Sequence, residues 1–94
     1  MPIHNIDIAK IFEEIADILE IENANPFRVK AYRNAARMLT GMSQEVTTLV
    51  EQNEDLSRLP TIGKDLAVKI EEIVHTGQCL ALQKLRQSHS ADLT

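Results

Sequence analysis

The sequence predicts an all-α protein, a compact bundle of four to five short helices. Apolar residues recur at helical spacing in several segments, and no segment shows the alternation of apolar and polar residues that is typical of strands. The chain has 94 residues, of which 44% are apolar and only 3% aromatic. We therefore expect one small domain over residues 1–94, with an aliphatic core.

The first helix is predicted to begin at Asn5, whose side chain can cap it, with Asp7 in its first turn. Its apolar stripe consists of Ile8, Ile11, Phe12, Ile15, Ile18 and Leu19. Its acidic face consists of Glu13, Glu14, Asp17 and Glu20. We interpret that face as solvated, and an acidic binding surface is the alternative.

The second helix is predicted to start with Asn25 as its cap and Pro26 at its first position, and to stop at Gly41. On a helical wheel, one side carries Phe27, Ala31, Tyr32, Ala35 and Leu39. A narrow sector on the other side carries Lys30, Arg33 and Arg37. Arg28 lies at the apolar border, one turn from Tyr32.

Three further elements complete the predicted bundle. Ser43 is expected to cap a third helix whose inward residues are Val46, Leu49 and Val50. A helical hairpin follows at about residues 55–75, in which Asp55 caps a short turn. A last helix buries Leu80, Leu82 and Leu85, and a polar tail at about 88–94 is expected to fray.

The turn of this hairpin is Pro60-Thr61-Ile62-Gly63, and an amphipathic helix from about Lys64 to His75 follows it. Gly63 can adopt a backbone conformation closed to most residues and leaves the helix start bare. Unpaired N–H groups at a helix start form a site for phosphate. An ordinary turn between two packed helices is the alternative reading.

Charge is distributed unevenly along the chain, whose net charge is −4. Residues 23–41 contain four basic residues and no acid, whereas residues 1–22 contain six acids and one lysine. The basic residues of the second helix gain nothing from local pairing, so an anion on that face would relieve their repulsion. The alternative is that they pair across space with the acidic first helix.

Two lysines of the hairpin are candidate functional residues. Lys64 lies in the first turn of its helix, where a cation is unfavourable unless it meets an anion. Lys69 lies at the border of the apolar stripe, and a desolvated lysine can act as a nucleophilic amine. Pairing with Asp65 or Glu72 would instead keep Lys69 charged and unreactive.

Several classes of protein are excluded or disfavoured. Cys79 is the only cysteine, so the chain forms no internal disulfide. No apolar run is long enough for a membrane span, and we expect a cytoplasmic protein with no membrane partner. The three histidines have no partners at ligand spacing, so neither a metal site nor a cofactor is expected.

The sequence resembles the N-terminal helical domain of the family X DNA polymerases, which is related to the lyase domain of DNA polymerase beta. The resemblance rests on residues 10–17, on Asn25-Pro26-Phe27-Arg28-Val29-Lys30-Ala31-Tyr32-Arg33-Asn34-Ala35-Ala36-Arg37, on the hairpin 59–70 and on Thr76-Gly77. It implies a bundle with one helix-hairpin-helix that binds the 5′-phosphate side of a gap or nick in DNA. It also implies phosphate contacts from Arg28 and Tyr32, and identifies Lys69 with the lysine that attacks an abasic sugar in lyase-active members.

One departure lies in the hairpin, which in the family usually reads Pro-Gly-apolar-Gly. Thr61 replaces the first glycine here and puts a side chain where phosphate approaches the backbone. The chain also ends before any polymerase palm, so it is expected to work with a polymerase domain in cis or in trans. Thr61 in the hairpin and the net acidity of the chain predict weaker DNA binding than that of a basic family member.

These observations predict a sequence-independent DNA-binding module in DNA repair that prefers gapped, nicked or 5′-phosphorylated DNA. The predicted phosphate-binding residues are Arg28, Tyr32, Arg33, Arg37, Ile62, Gly63 and Lys64. One rival is a 5′-deoxyribose-phosphate or abasic-site lyase with Lys69 as its catalytic residue. The other is a protein-interaction module that has lost DNA binding.

Overall fold

A computed structural model describes the backbone of residues 3–92 and the side chains of residues 3–88. Its helices are α1 (Asn5–Ile21), α2 (Pro26–Gly41), α3 (Val46–Glu51), a 3₁₀ turn (Leu56–Arg58), α4 (Lys64–Thr76) and α5 (Leu80–Asp92). Residues 3–92 contain no strand, and the all-α prediction is confirmed. No helix within this range is long and apolar enough to cross a bilayer.

The core forms between α1 and α2, the two longest helices, and is completed by residues of α3, α4 and α5. The largest fully buried side chains are Ile8, Phe12, Ile15, Leu39, Val46, Ile70 and Ile73. Phe12 of α1 meets Tyr32 of α2 edge to face, with 5.4 Å between ring centroids. Aromatic pairs prefer this geometry, and it fixes the tyrosine ring in the core.

The predicted cap of α1 is wrong, because Asn5 lies inside the helix and is buried. Its side-chain amide donates to the Gln44 carbonyl and its carbonyl accepts from the Val46 N–H, both at 2.8 Å. The side chain thus satisfies backbone groups at the start of α3, which begins at Val46, so Ser43 is not its cap either. At the start of α1, the Asp7 carboxylate accepts a hydrogen bond from the His4 backbone N–H.

Helix α2 starts as predicted, with the Asn25 side chain accepting a hydrogen bond from the Phe27 N–H at 2.9 Å. Its buried face, however, consists of Val29, Tyr32, Ala35, Ala36 and Leu39. Phe27 is 80% exposed and Ala31 is also exposed. A residue advances about 100° around a helix, so Phe27 points about 140° away from Tyr32.

The end of the chain departs from prediction at Leu80. This residue is 53% exposed, whereas Leu82 and Cys79 are buried. It is the first residue of α5, and its backbone N–H donates to the Glu72 carboxylate at 2.8 Å. Helix α5 extends to Asp92, and residues 93–94 of the predicted tail lie outside the described residues.

Candidate functional site

In the hairpin turn, the residue with a left-handed backbone conformation is Thr61 and not Gly63. Thr61 has φ = +65°, whereas Gly63 has φ = −86° and ψ = −179°, an extended conformation open to any residue. A Cβ added at Gly63 would meet nothing within 4 Å. Gly63 therefore does not use the conformational freedom that glycine offers, and the left-handed residue of the turn is Thr61, where the related hairpins carry their first glycine.

Ile62 anchors the hairpin to the core. Its side chain is 3% exposed, and its backbone N–H donates to the Leu59 carbonyl at 3.1 Å. The direct phosphate contacts predicted for the hairpin therefore rest on Gly63 and Lys64.

The start of α4 is open, as the sequence predicts. Gly63 precedes the helix, and no side chain caps its first N–H groups. Lys64 is exposed and shares a shallow groove with Asp55, Ser57 and Glu71. Hydrogen bonds from Ser57 hold the pKa of Asp55 below its usual range, helped by the charges of Arg58 and Lys64. The field around Lys64 is thus partly offset by carboxylates of the hairpin itself.

Lys69 lies where α4 faces α2. Its side chain is 17% exposed, and its ammonium group donates to the Asp65 carboxylate at 2.9 Å. Burial alone would lower the pKa of Lys69, but the Asp65 hydrogen bond and the nearby Tyr32 hydroxyl raise it on balance. Asp65 is therefore the partner of Lys69, while Glu72 is engaged at the start of α5.

The Tyr32 hydroxyl is buried close to Lys69 and makes no hydrogen bond. It has no partner within hydrogen-bonding geometry, so its proximity to Lys69 is an electrostatic contact. A buried polar atom without a partner is uncommon in folded proteins. The hydroxyl is sealed from solvent, so an added acceptor could reach it only if the side chains that cover it moved.

Arg33 lies on the other side of α2 and faces helix α1. Its guanidinium group contacts the carboxylates of α1 at 3.2, 3.0 and 3.3 Å, and these belong to Glu13, Asp17 and Glu20. The hydrogen bond that Arg33 donates to Asp17 raises the pKa of Arg33 against the opposing effect of burial, and the charges of the three carboxylates raise it as well. Arg33 is therefore paired with the acidic helix α1, which is one of the two arrangements that the sequence left open.

The predicted basic residues of α2 thus divide between two sides of the helix. Arg28 lies about 40° from Tyr32 on the helical wheel, whereas Arg33 and Arg37 lie about 100° and 140° from it in the other direction. Arg33 and Arg37 line a groove of about 620 Å³ between α1 and α2. That groove is also lined by Glu20, Asn23, Ala24, Pro26, Val29, Lys30 and Asn34. Tyr32 and Lys69 are brought together on one side, and Arg33 and Arg37 on the other.

Phe27 is a further candidate for ligand contact, although the sequence groups it with the apolar side of α2. It is the most exposed large apolar residue among the described side chains, and it adjoins Arg28 in sequence. The signal that could have identified it is its distance around the helix from Tyr32. Among the side chains that the structure describes, no three histidine, cysteine or carboxylate groups are placed to hold a metal ion.

Comparison with known proteins supports the resemblance seen in the sequence. Residues 3–79 match the family model of the helix-hairpin-helix domain. The chain is 34% identical over 84 residues to the DNA polymerase/3′-5′ exonuclease PolX of Bacillus subtilis. That match covers 89% of this chain but only 14% of the relative's length. The resemblance to a domain of the family X polymerases is confirmed, and the chain belongs to the helix-hairpin-helix domain family.

Proposed function

We propose that this chain is a sequence-independent DNA-binding module that contacts backbone phosphates, with a preference for gaps, nicks or 5′-phosphate ends, and acts in DNA repair. The observation that carries the proposal is the buried, unpartnered Tyr32 hydroxyl beside Lys69. The relative's name, a DNA polymerase and exonuclease, is consistent with a DNA ligand. A DNA ligand in turn fits an intracellular location.

The chemistry between α2 and α4 suits a phosphate. A phosphate oxygen can accept from the Lys69 ammonium group and, once the side chains over it move aside, from the Tyr32 hydroxyl, which otherwise lacks a partner. Arg28 is exposed one turn before Tyr32 and can add a bidentate contact. A terminal phosphate carries more charge and more free oxygens than one within a strand, so such a site favours ends.

The open start of α4 supplies a second contact. Its uncapped N–H groups and the partial positive charge of the helix favour an anion, and Lys64 lies beside them. Backbone donors read no bases, which agrees with binding that is independent of sequence. The carboxylates of Asp55 and Glu71 in the same groove limit the affinity of this contact.

Phe27 offers a surface for an unpaired base. An aromatic ring that is 80% exposed carries a cost in water which stacking against a base would remove. A gap in duplex DNA provides unpaired bases next to a 5′-phosphate. Phe27 beside Arg28 therefore supports gapped DNA over a continuous duplex.

Fluorescence anisotropy tests the proposal with three oligonucleotide substrates of equal length: gapped with a 5′-phosphate, gapped with a 5′-hydroxyl, and continuous. We expect the first to bind most tightly and its affinity to fall as salt rises. Arg28→Glu should abolish the preference, whereas Lys84→Glu, which reverses an exposed charge on α5, should preserve it. No binding at low salt by the folded protein would reject the proposal and favour a protein-interaction module.

A second candidate is a 5′-deoxyribose-phosphate or abasic-site lyase. The observation that favours it is the partly buried amine of Lys69, placed beside a phosphate-compatible hydroxyl. The amine would attack the sugar aldehyde to form a Schiff base with loss of water. Its charged form is stabilised by Asp65, which works against this chemistry.

Borohydride trapping on abasic DNA separates the two candidates. A trapped adduct that Lys69→Ala abolishes would establish the lyase, and DNA binding without an adduct would leave the binding module. A polymerase domain, in the same chain or supplied separately, is the proposed partner. When this domain is present in the assay, the gap should be filled and the trapping result should not change.

A further inference from the structure

We propose that three carboxylates of α1, Glu13, Asp17 and Glu20, determine specificity by suppressing binding to continuous duplex DNA. They do so by occupying Arg33, and they leave the site between α2 and α4 untouched. This inference rests on the proposed function and deepens it, because it identifies the residues that set the preference for 5′-phosphate ends.

The carboxylates around Arg33 occupy the guanidinium donors that a phosphate would use. Three carboxylate oxygens lie within 3.3 Å of its terminal nitrogens, and two of them share Nη2. Carboxylates and phosphates use the same guanidinium donors. A DNA phosphate can reach Arg33 only by displacing carboxylates, so Arg33 contributes little to duplex affinity while they remain.

The balance of charge around the groove points the same way. Its basic residues are Lys30, Arg33 and Arg37, and the carboxylates at Arg33 equal them in number. The positive and negative charges on this side of α2 therefore largely cancel for an approaching DNA phosphate. Neutralising the carboxylates would expose a patch of three positive charges.

The two kinds of DNA depend differently on such a patch. Binding to a continuous duplex comes from several simultaneous phosphate contacts, each of which releases counterions. Recognition of an end depends on one terminal phosphate held locally by Tyr32, Lys69 and Arg28. Because Arg33 lies about 100° around α2 from Tyr32 and faces the carboxylates of α1, those carboxylates weaken the first mode and spare the second.

The test compares the triple variant Glu13→Gln/Asp17→Asn/Glu20→Gln with a control that removes the same charge elsewhere. Glu22→Gln/Glu51→Gln/Glu54→Gln is such a control, since these three residues are exposed and lie outside the contacts of Arg33. Circular dichroism establishes that both variants are folded. Dissociation constants are then measured for continuous and for 5′-phosphorylated gapped duplex over a range of salt concentrations.

We expect the affinity of the α1 variant for continuous duplex to be at least about fivefold higher than that of the control. Its plot of log K against log salt should be steeper by about 0.9, which corresponds to one added phosphate contact. Its ratio of gapped to continuous affinity should fall. Adding Arg33→Gln to the triple variant should restore the slope of the wild-type protein.

Two results would overturn the inference, and they are distinguishable. If the wild-type protein binds DNA but the α1 variant matches the control in slope and ratio, the carboxylates do not set specificity and the proposed function stands. If wild-type protein and α1 variant both fail to bind either DNA, the proposed function fails and the inference falls with it.

Discussion

The Lys69 ammonium group donates a hydrogen bond to the Asp65 carboxylate at 2.9 Å, one helical turn earlier in α4. Burial alone would lower the pKa of Lys69, but this bond and the adjacent Tyr32 hydroxyl raise it. Because the pKa is higher in the folded state, the contact stabilises the protein fully below the ordinary lysine pKa. Its contribution is lost as pH rises through the folded-state value.

The first prediction concerns this pair. Asp65→Asn should lower the pKa of Lys69, since burial then acts without an opposing charge. An NMR titration of reductively methylated lysines measures it. Glu72→Gln is the control, because Glu72 contacts Leu80 rather than Lys69, and it should leave that pKa unchanged. If the protein is a lyase, Asp65→Asn should also increase borohydride trapping near neutral pH. An unchanged Lys69 pKa in Asp65→Asn would contradict the assignment of this partner.

The second prediction concerns strain in the hairpin turn. Thr61 is β-branched and has φ = +65°, a conformation that costs an L-residue about 1–2 kcal/mol. Thr61→Gly relieves that cost but adds freedom to the unfolded chain. We expect a net gain of about 0.5–1 kcal/mol in the free energy of unfolding, measured by urea denaturation.

A matched control for Thr61 is Gly77→Ala. Gly77 has φ = +75° at the end of α4, so alanine there should lose about 1 kcal/mol or more. A loss of stability in Thr61→Gly would show that the threonine makes contacts that outweigh its backbone strain.

The parts of the fold that the sequence predicted well are those set by local chemistry. The Asn25 cap and the Asp55 cap each depend on one residue and its neighbouring backbone. The apolar stripes of α1 and α4 were also predicted, because their period is strong and their buried residues are large aliphatics.

The errors arise where tertiary contacts override local preference. Asn5 is a good cap, but its side chain is recruited by backbone groups some forty residues away at the start of α3. Phe27 is apolar but points away from α1, since packing fixes the rotation of α2 through Tyr32. The helical wheel already separates Arg28 from Arg33 and Arg37, but the groups that each arginine meets could not be predicted, because they depend on where α1 and α4 lie against α2.

The third prediction tests the Asn5 bridge. Asn5→Ala leaves the Gln44 carbonyl and the Val46 N–H without the partners that Asn5 provides, and each unsatisfied buried group costs about 1–3 kcal/mol. We expect a loss of about 2–4 kcal/mol in the free energy of unfolding. Asn5→Asp keeps the acceptor for Val46 but sets a buried carboxylate oxygen against the Gln44 carbonyl, so it should also lose stability. A loss below about 0.5 kcal/mol in Asn5→Ala, measured by thermal or urea unfolding, would contradict the bridge.

The fourth prediction concerns the ion pair that joins α5 to α1. Arg86 contacts Glu14 with two nitrogens, and this hydrogen bond lowers the pKa of Glu14 against the opposing effect of burial. Because the pKa is depressed in the folded state, the stabilisation is present above the ordinary glutamate pKa and is lost as pH falls through the folded-state value. Both side chains are substantially exposed, so solvent screens the pair and its contribution to stability is small.

Arg86→Gln should therefore raise the pKa of Glu14 toward its ordinary value and flatten the decline of stability in acid. The carboxyl chemical shift of Glu14 reports the first effect, and unfolding between neutral and acidic pH reports the second. Lys84→Gln, which removes an exposed cation from the same helix, should change neither. A Glu14 titration that is the same with and without Arg86 would contradict the pairing.

The fifth prediction separates the structural and binding roles of Tyr32. Tyr32→Phe keeps the ring that packs against Phe12 and removes only the buried hydroxyl, which lacks a partner. The free energy of unfolding should therefore be unchanged or higher, since no hydrogen bond is lost and an unsatisfied group is removed. If that hydroxyl donates to a terminal phosphate, the same variant should lose several-fold in affinity for 5′-phosphorylated gapped DNA and little for the 5′-hydroxyl form. Phe12→Leu is the opposite control, because it disturbs the ring contact and should lower stability without altering the ratio of the two affinities. If Tyr32→Phe instead keeps the wild-type ratio of affinities for the two DNA ends, Tyr32 does not belong to the phosphate site, and the strongest reason to place that site between α2 and α4 is lost.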